Sequence, residues 1–549
     1  MSSIRGKRTS SVGVTMRQGL LTTAVALGLA TASGCAMDEG ASGADVIRAE
    51  EFDAHLRFLA DDLLEGRAPG TRGSELAARY IASHFELAGL QPVVGDTSYL
   101  QPVPLLAVSW RPTLSFRARG GASFAADYGS DFVAWSSRPP ESTEFAGELV
   151  FVGYGIAAPE EGWDDYKEVD VSGKVLLMLM NDPGPWMPSR FRGDTLTYYG
   201  LPDYKYREAA RRGAIAAIAV HTRELVGYEW DVVENVRNRE QYRLDAADVG
   251  ARPGFEAVLG QEASETVVSM GGLDFPTLLE SARSENFRPI ETGVTVSASV
   301  SSEVRRLTDA NVIGLLPGSD PELADEVVVF TSHYDNLGIG PPEGLDSIYN
   351  GAYDNASGTA MLIVLAQAFA GLSRRPARSV LFLAVTAEVP DLLGSRYYVQ
   401  NPVLPLGRTV ANVNLDGVNL WGPTRDVAVI AAPAAGLEEV IARSAAVEDL
   451  RLEGDRAPEQ GDLYRSGQFS FVEAGVPAVY VGHGLDYIGE MPGWGVELMD
   501  RYREMDQHRP SDEYRPGLDM RGAVQQGRVA FRVGFALADA RERPVLGGR

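Results

Sequence analysis

Two runs in the C-terminal half are apolar without a break, "VVVF" at 327–330 and "VLFLAV" at 380–385. A strand with one wet face alternates apolar and polar residues, so unbroken runs belong to a sheet covered on both faces. From "TDANVIGLLPG" at 308–318 onward, a strand, loop, helix pattern repeats. This predicts an α/β fold: a mostly parallel central sheet with helices on both faces. Such sheets bind ligands beyond the carboxyl ends of their strands. The polar residues closing each run are therefore the first candidates for chemistry.

Five segments close that way. "TSHYDNLG" places His333 and Asp335 just past the first run, and "YDNASGTA" places Asp354 before a helix, with Asn355 or Ser357 as its cap. "VLFLAVTAE" ends at Glu388, "NVNLDG" carries Asp416, and "MDQHRPSDEYRPG" offers His508 in a polar loop. Each residue alone has an ordinary explanation as a cap, a turn or a solvated side chain. Together, imidazoles and carboxylates are a donor set that suits zinc. A bridging carboxylate can hold two such ions about 3.5–4 Å apart. His333 and Asp335 lie two residues apart and point the same way on extended backbone, so Asp335 is either a ligand or the group that orients the imidazole. The chain has six histidines. His55, His84 and His221 sit in helical or strand context and read as structural or surface residues. His483, in "YVGHGLDY", is a minor candidate ligand.

The rest of the chain sets the frame. With 549 residues, two or three domains are expected. Between 48 and 93, helical spacing flanks the loop "EGRAPGTRGS", placing Phe52, Leu56, Leu59 and Leu63 on one face of a helix and Leu76, Tyr80, Ile81 and Phe85 on one face of another. Strand-like pieces follow from about Trp110 to Val300, with "YREAARRGAIAAIAVH" read as helical among them. The net charge of -25 argues against a nucleic-acid partner, because phosphate binding needs clustered cations. At the N-terminus, Arg5, Lys7, Arg8 and Arg17 precede the apolar "GLLTTAVALGLATASGC". That is the pattern of a secretory signal. It ends at Cys35, the only cysteine, in a lipobox-like Ala32-Ser33-Gly34-Cys35. The expectation is an exported protein of the periplasm or outer envelope, touching a membrane only through a lipid on Cys35. A plain cleaved signal with secretion is the alternative.

The chain resembles the co-catalytic di-zinc aminopeptidases related to bacterial leucyl aminopeptidases and glutamate carboxypeptidase. "LEGRAPGTRGSELAARYI", "SHYDNLG", "YDNASGTA", "TAEVPDLLGS", "NVNLDG", "FVEAGVPAVY" and "HRPSDEY" carry the likeness, in order, over nearly all of the mature chain. The resemblance implies a signal at 1–35, a helical N-terminal part of the peptidase domain at 36–114, a β-rich insert of the protease-associated type at 115–298, and a zinc peptidase domain at 299–549. It implies that His333 and Asp416 bind one zinc, Asp354 bridges two, and His508 helps hold the second. Asp335 would orient His333, and Glu388 would be the general base in peptide hydrolysis. The family has a second metal-binding acid directly after that base, where this chain has Val389 and Pro390. Valine has no donor atom, so one tight zinc is expected, with the second weak or absent unless Asp391 swings in. Gly467 and Gln468 stand where the family often shows Asp-His, and Gln507 where a tyrosine is common. The alternative implied by these departures is a peptidase-like binding protein with impaired catalysis.

Overall fold

The computed structural model describes residues 43–137, 142–245, 250–389 and 391–547. The signal-like segment with Cys35, and Pro390, lie outside the described residues. Among the described residues no helix is long and apolar enough to cross a membrane.

Two long strands organise the chain, β1 (Leu100–Ala118) and β2 (Ile290–Leu316). They pair antiparallel without a break in register from Leu100↔Val312 to Ala118↔Val294. The boundaries expected at 115 and 298 fall inside these strands. Beyond them come β3 (Val327–His333), β4 (Ser379–Val385), β5 (Thr409–Asn414), β6 (Asp426–Ala431) and β7 (Ala478–His483). Their order across the sheet is β6, β7, β5, β3, β4, β2. The four strands β7, β5, β3 and β4 are parallel, while β6 and β2 close the two sides antiparallel.

The unbroken apolar runs are explained by burial on both faces. Val328 and Phe330 enter a core with helices Ala49–Leu59, Arg72–Leu87, Gly358–Ala370 and Arg521–Asp539. Val327 and Val329 point the other way, into a smaller core with Tyr398 and Phe471. Each such side chain taken fully from water contributes about 1.5–3 kcal/mol. A separate core gathers residues between Val108 and Val304 around strands Val175–Leu179, Ala216–Val220 and Phe255–Leu259, which run parallel to one another.

Two local expectations need correction. Helix Ala49–Leu59 stops before Leu63, and the 3-10 turn that follows shifts the phase, leaving Leu63 82% exposed. The segment expected to be one helix divides into helix Pro202–Arg211 and strand Ala216–Val220. Gly213 at φ +78° turns the chain between them. The short run "AAIAV" is buried at every position, and periodicity cannot separate a buried strand from a buried helix.

Candidate metal centre

The parallel strands deliver their polar ends to one crevice. His333 is the last residue of β3, Glu388 lies three past the end of β4, and Asp416 two past the end of β5. Asp354 precedes helix Gly358–Ala370, and His508 follows helix Trp494–Met505 with φ +57°. His333 Nε2 lies 3.2 Å from Asp354 Oδ1 and 3.2 Å from Asp416 Oδ1. His508 Nε2 lies 3.2 Å from the other oxygen, Asp354 Oδ2. One donor atom each from His333, Asp354 and Asp416 falls within 4.8 Å of the others, the one such trio of His, Cys, Asp or Glu among the described residues. Asp354 thus faces both imidazoles, one oxygen to each.

The electrostatics favour a cation. Burial alone would lower the His333 pKa, but Asp416, Asp335 and Asp354 crowd the ring and raise it well above the ordinary value. Burial alone would raise the Asp354 carboxyl, but His333 and His508 hold it far below the usual range. The acids, in other words, draw positive charge onto a buried imidazole. His333 Nδ1 has the Asp335 carbonyl at 3.1 Å and its carboxylate at 3.7 Å. A proton on Nδ1 donated to that carbonyl leaves Nε2 free to bind a metal.

Glu388 is buried beside this trio. Its backbone N–H donates to both Asp335 carboxylate oxygens, at 3.2 and 3.0 Å. Its own carboxylate accepts from Ser395 Oγ at 2.8 Å and Ser395 N at 3.3 Å. Burial pushes its pKa up to about 7, against the pull of His333 and Ser395. All six sequence candidates therefore come together. His333, Asp354, Glu388, Asp416 and His508 line a cavity of about 1000 Å³. Asp335 sits behind it, holding both Glu388 and His333. The far wall of the cavity is built from the separate core between Val108 and Val304, by Trp110, Trp135 and Tyr206 among others.

Two minor candidates fall away. His483 is held by the Tyr353 hydroxyl at 3.0 Å and the Gly484 carbonyl at 2.9 Å, outside the trio. Asp391 does not swing in: Arg237 donates to both its oxygens, at 3.1 and 3.0 Å. Val389 lines the cavity and brings no donor atom. Gln468 turns away, accepting from Asn414 at 2.8 Å and donating to the Asp462 carbonyl at 3.1 Å.

Sequence reasoning missed the residues that fix the backbone. Asp512 accepts from the N–H of Tyr353 at 2.9 Å and of Asp354 at 3.1 Å, and from the Tyr502 hydroxyl at 3.0 Å. Arg67 is fully buried and donates to the carbonyls of Tyr334, Leu59 and Gly351, next to His333 and Asp354. Both lie in stretches quoted for the resemblance, but no spacing sets Asp512 apart from Glu513, or Arg67 from any loop arginine.

The sequence pattern of peptidase family M28 matches residues 311–533. That part of the chain belongs to family M28. The matched span contains His333, Asp354, Glu388, Asp416 and His508. The chain is 29% identical over 441 residues to Glutamate carboxypeptidase 2 homolog of Caenorhabditis elegans, covering 68% of this chain and 51% of the relative. It is 27% identical over 192 residues to Aminopeptidase NAALADL1 of Mus musculus, covering 32% and 24%. The matches therefore span about half or less of the length of these relatives. Among solved structures, an aminopeptidase from Aneurinibacillus sp. strain AM-1 superimposes with a TM-score of 0.54 at 17% identity, covering 93% of this chain and 98% of that one. That likeness shows the fold alone.

Proposed function

We propose that the chain is a zinc-dependent metallopeptidase of the aminopeptidase type, exported, with Glu388 as general base. The observation that carries this is a buried carboxylate with its pKa raised to about 7, set in one cavity with the converging His333, Asp354 and Asp416. The donor set fits zinc by chemistry: one imidazole nitrogen with a free lone pair and two carboxylates. Those three residues would hold the ion, and His508 with Asp354 would begin a second position that Val389 leaves short of a ligand. A zinc ion bound there supplies Lewis acidity, polarising a scissile carbonyl and lowering the pKa of water.

The chain's own residues supply the rest. Glu388 takes a proton from the attacking water and returns it to the leaving nitrogen as the C–N bond breaks. A pKa near operating pH suits both transfers. Ser395 holds the Glu388 carboxylate in place, and Asp335 holds its backbone. The core gathered between Val108 and Val304, read as a domain of the protease-associated type, supplies part of the cavity wall opposite these residues. The competing reading, a binding protein without turnover, rests on Val389 facing the cavity. The experiment is hydrolysis of aminoacyl p-nitroanilides and dipeptides by zinc-loaded protein, with Glu388→Gln as control. Chelator-sensitive release that Glu388→Gln abolishes is expected. No release from any substrate, with zinc bound normally, would favour the binding protein.

A further inference from the structure

The chain carries 75 acidic and 50 basic side chains, so unpaired cations inside a cavity run against its composition. Most arginines lining the large cavity are neutralised. Arg237 pairs with Asp391, Arg207 and Arg252 with Asp203, and Arg503 with Asp500. Arg465 donates to the Tyr228 hydroxyl.

Arg243, Arg396 and Arg465 line the cavity without an ion pair among the described residues, and the first two lack the hydroxyl partner that Arg465 has. Arg396 Nε is buried with no hydrogen-bond partner. Arg243 stacks its guanidinium over Trp110 at 5.5 Å, which fixes the plane but supplies no anion. The two come from different parts of the fold, Arg243 from strand Gln241–Leu244 and Arg396 from helix Leu393–Gln400, which packs against that strand. Arg243 feels first Glu256, which Arg252 already pairs, and then Asp391; Arg396 also feels Asp391, which Arg237 already occupies. That corner therefore gathers Arg237, Arg243 and Arg396 around one shared acid, Asp391, in the cavity that Val389 and Glu388 also line. A buried guanidinium donor without an acceptor is costly and is ordinarily satisfied by something.

We propose that Arg243 and Arg396 form an anion subsite that takes a carboxylate of the substrate. Guanidinium forks match carboxylates in geometry and charge. The carboxylate comes either from the free C-terminus of a short peptide or from an acidic side chain. The inference deepens the peptidase reading and rests on it for the word substrate, but its test reads binding.

Zinc-loaded full-length Glu388→Gln protein is titrated calorimetrically with Leu-Ala, Leu-Ala amide and Leu-Glu amide. Binding of Leu-Ala at least tenfold tighter than its amide assigns the subsite to a C-terminus. The same advantage for Leu-Glu amide over Leu-Ala amide assigns it to a side chain. Arg243→Met with Arg396→Met, which keeps apolar stems in place, should bring the preference close to one. Equal binding of all three ligands overturns the proposal, and so does a preference that survives the double substitution. Leucine p-nitroanilide, which lacks a carboxylate, is assayed on the unsubstituted protein. If it is not hydrolysed, the peptidase reading fails separately while the titration still decides the subsite.

Discussion

Gly467→Ala tests where the Glu388 carboxylate acts. Gly467 has φ -53° and ψ -26°, ordinary right-handed helical values, and precedes helix Gln468–Glu473. Alanine adopts that backbone conformation without strain and restricts the unfolded chain, a gain of about 0.4–1 kcal/mol that offsets part of the cost of the close contact its Cβ makes. The added Cβ, however, would lie 2.8 Å from Glu388 Oε1 and 3.3 Å from Asn414 Oδ1. Ordinary contact begins near 3.4 Å, so the Glu388 carboxylate must retreat by roughly 0.6 Å. The same oxygen accepts the 2.8 Å bond from Ser395, which a retreat of that size would strain or break. Misplacing a catalytic group by about 1 Å costs up to 10²-fold, so kcat should fall roughly ten- to a hundredfold. That is about 1.4–2.7 kcal/mol of barrier. The assay is steady-state hydrolysis of an aminoacyl anilide by the zinc-loaded variant, with thermal unfolding measured in parallel. Full turnover by the folded variant would show that the Glu388 carboxylate does not act where the structure places it.

Other outcomes follow from the same geometry. Val389→Glu restores an acid on the cavity wall and should raise bound zinc from one toward two per chain, measured by elemental analysis. Asp512→Asn keeps one acceptor oxygen for three donors, so it should weaken folding by about 1–3 kcal/mol and zinc affinity by roughly 10–100-fold. Competition against a chelator reads the second number. Glu388 must be ionised to act as a base, and burial holds its carboxyl up to about 7. Activity should therefore fall as pH drops. Because a bound cation pulls the carboxyl down, the acid limb of kcat/KM should lie no higher than about 7. A limb well above that would belong to another group.

The central sheet was legible because its strands are buried on both faces: Val327 to Phe330 and Val380 to Val385 have no polar residue to hide. The donors were legible because the ends of such strands are where open sheets place polar groups. His333 and Asp416 needed only the carboxyl ends of β3 and β5, and Asp354 needed only the start of a helix. The segment "AAIAV" was misread because a fully buried strand has no period of its own. Leu63 was misplaced because the helix ended one turn earlier than its apolar spacing. Asp391 could be settled only by tertiary structure, since its partner Arg237 lies 154 positions away. Asp512 and Arg67 act through backbone N–H and carbonyl groups, which leave no trace in side-chain spacing.

The ladder joining β1 to β2 has a mechanical consequence. The polypeptide that walls the far side of the cavity leaves and returns along two neighbouring strands bonded to each other over nineteen successive pairs. A flexible tether would let it swing like a door. This attachment behaves as a stiff double beam, whose deflection requires bending or breaking many hydrogen bonds at once. Entry and exit must then be accommodated by the rim of loops and side chains around a standing vault, which limits how bulky an incoming chain can be.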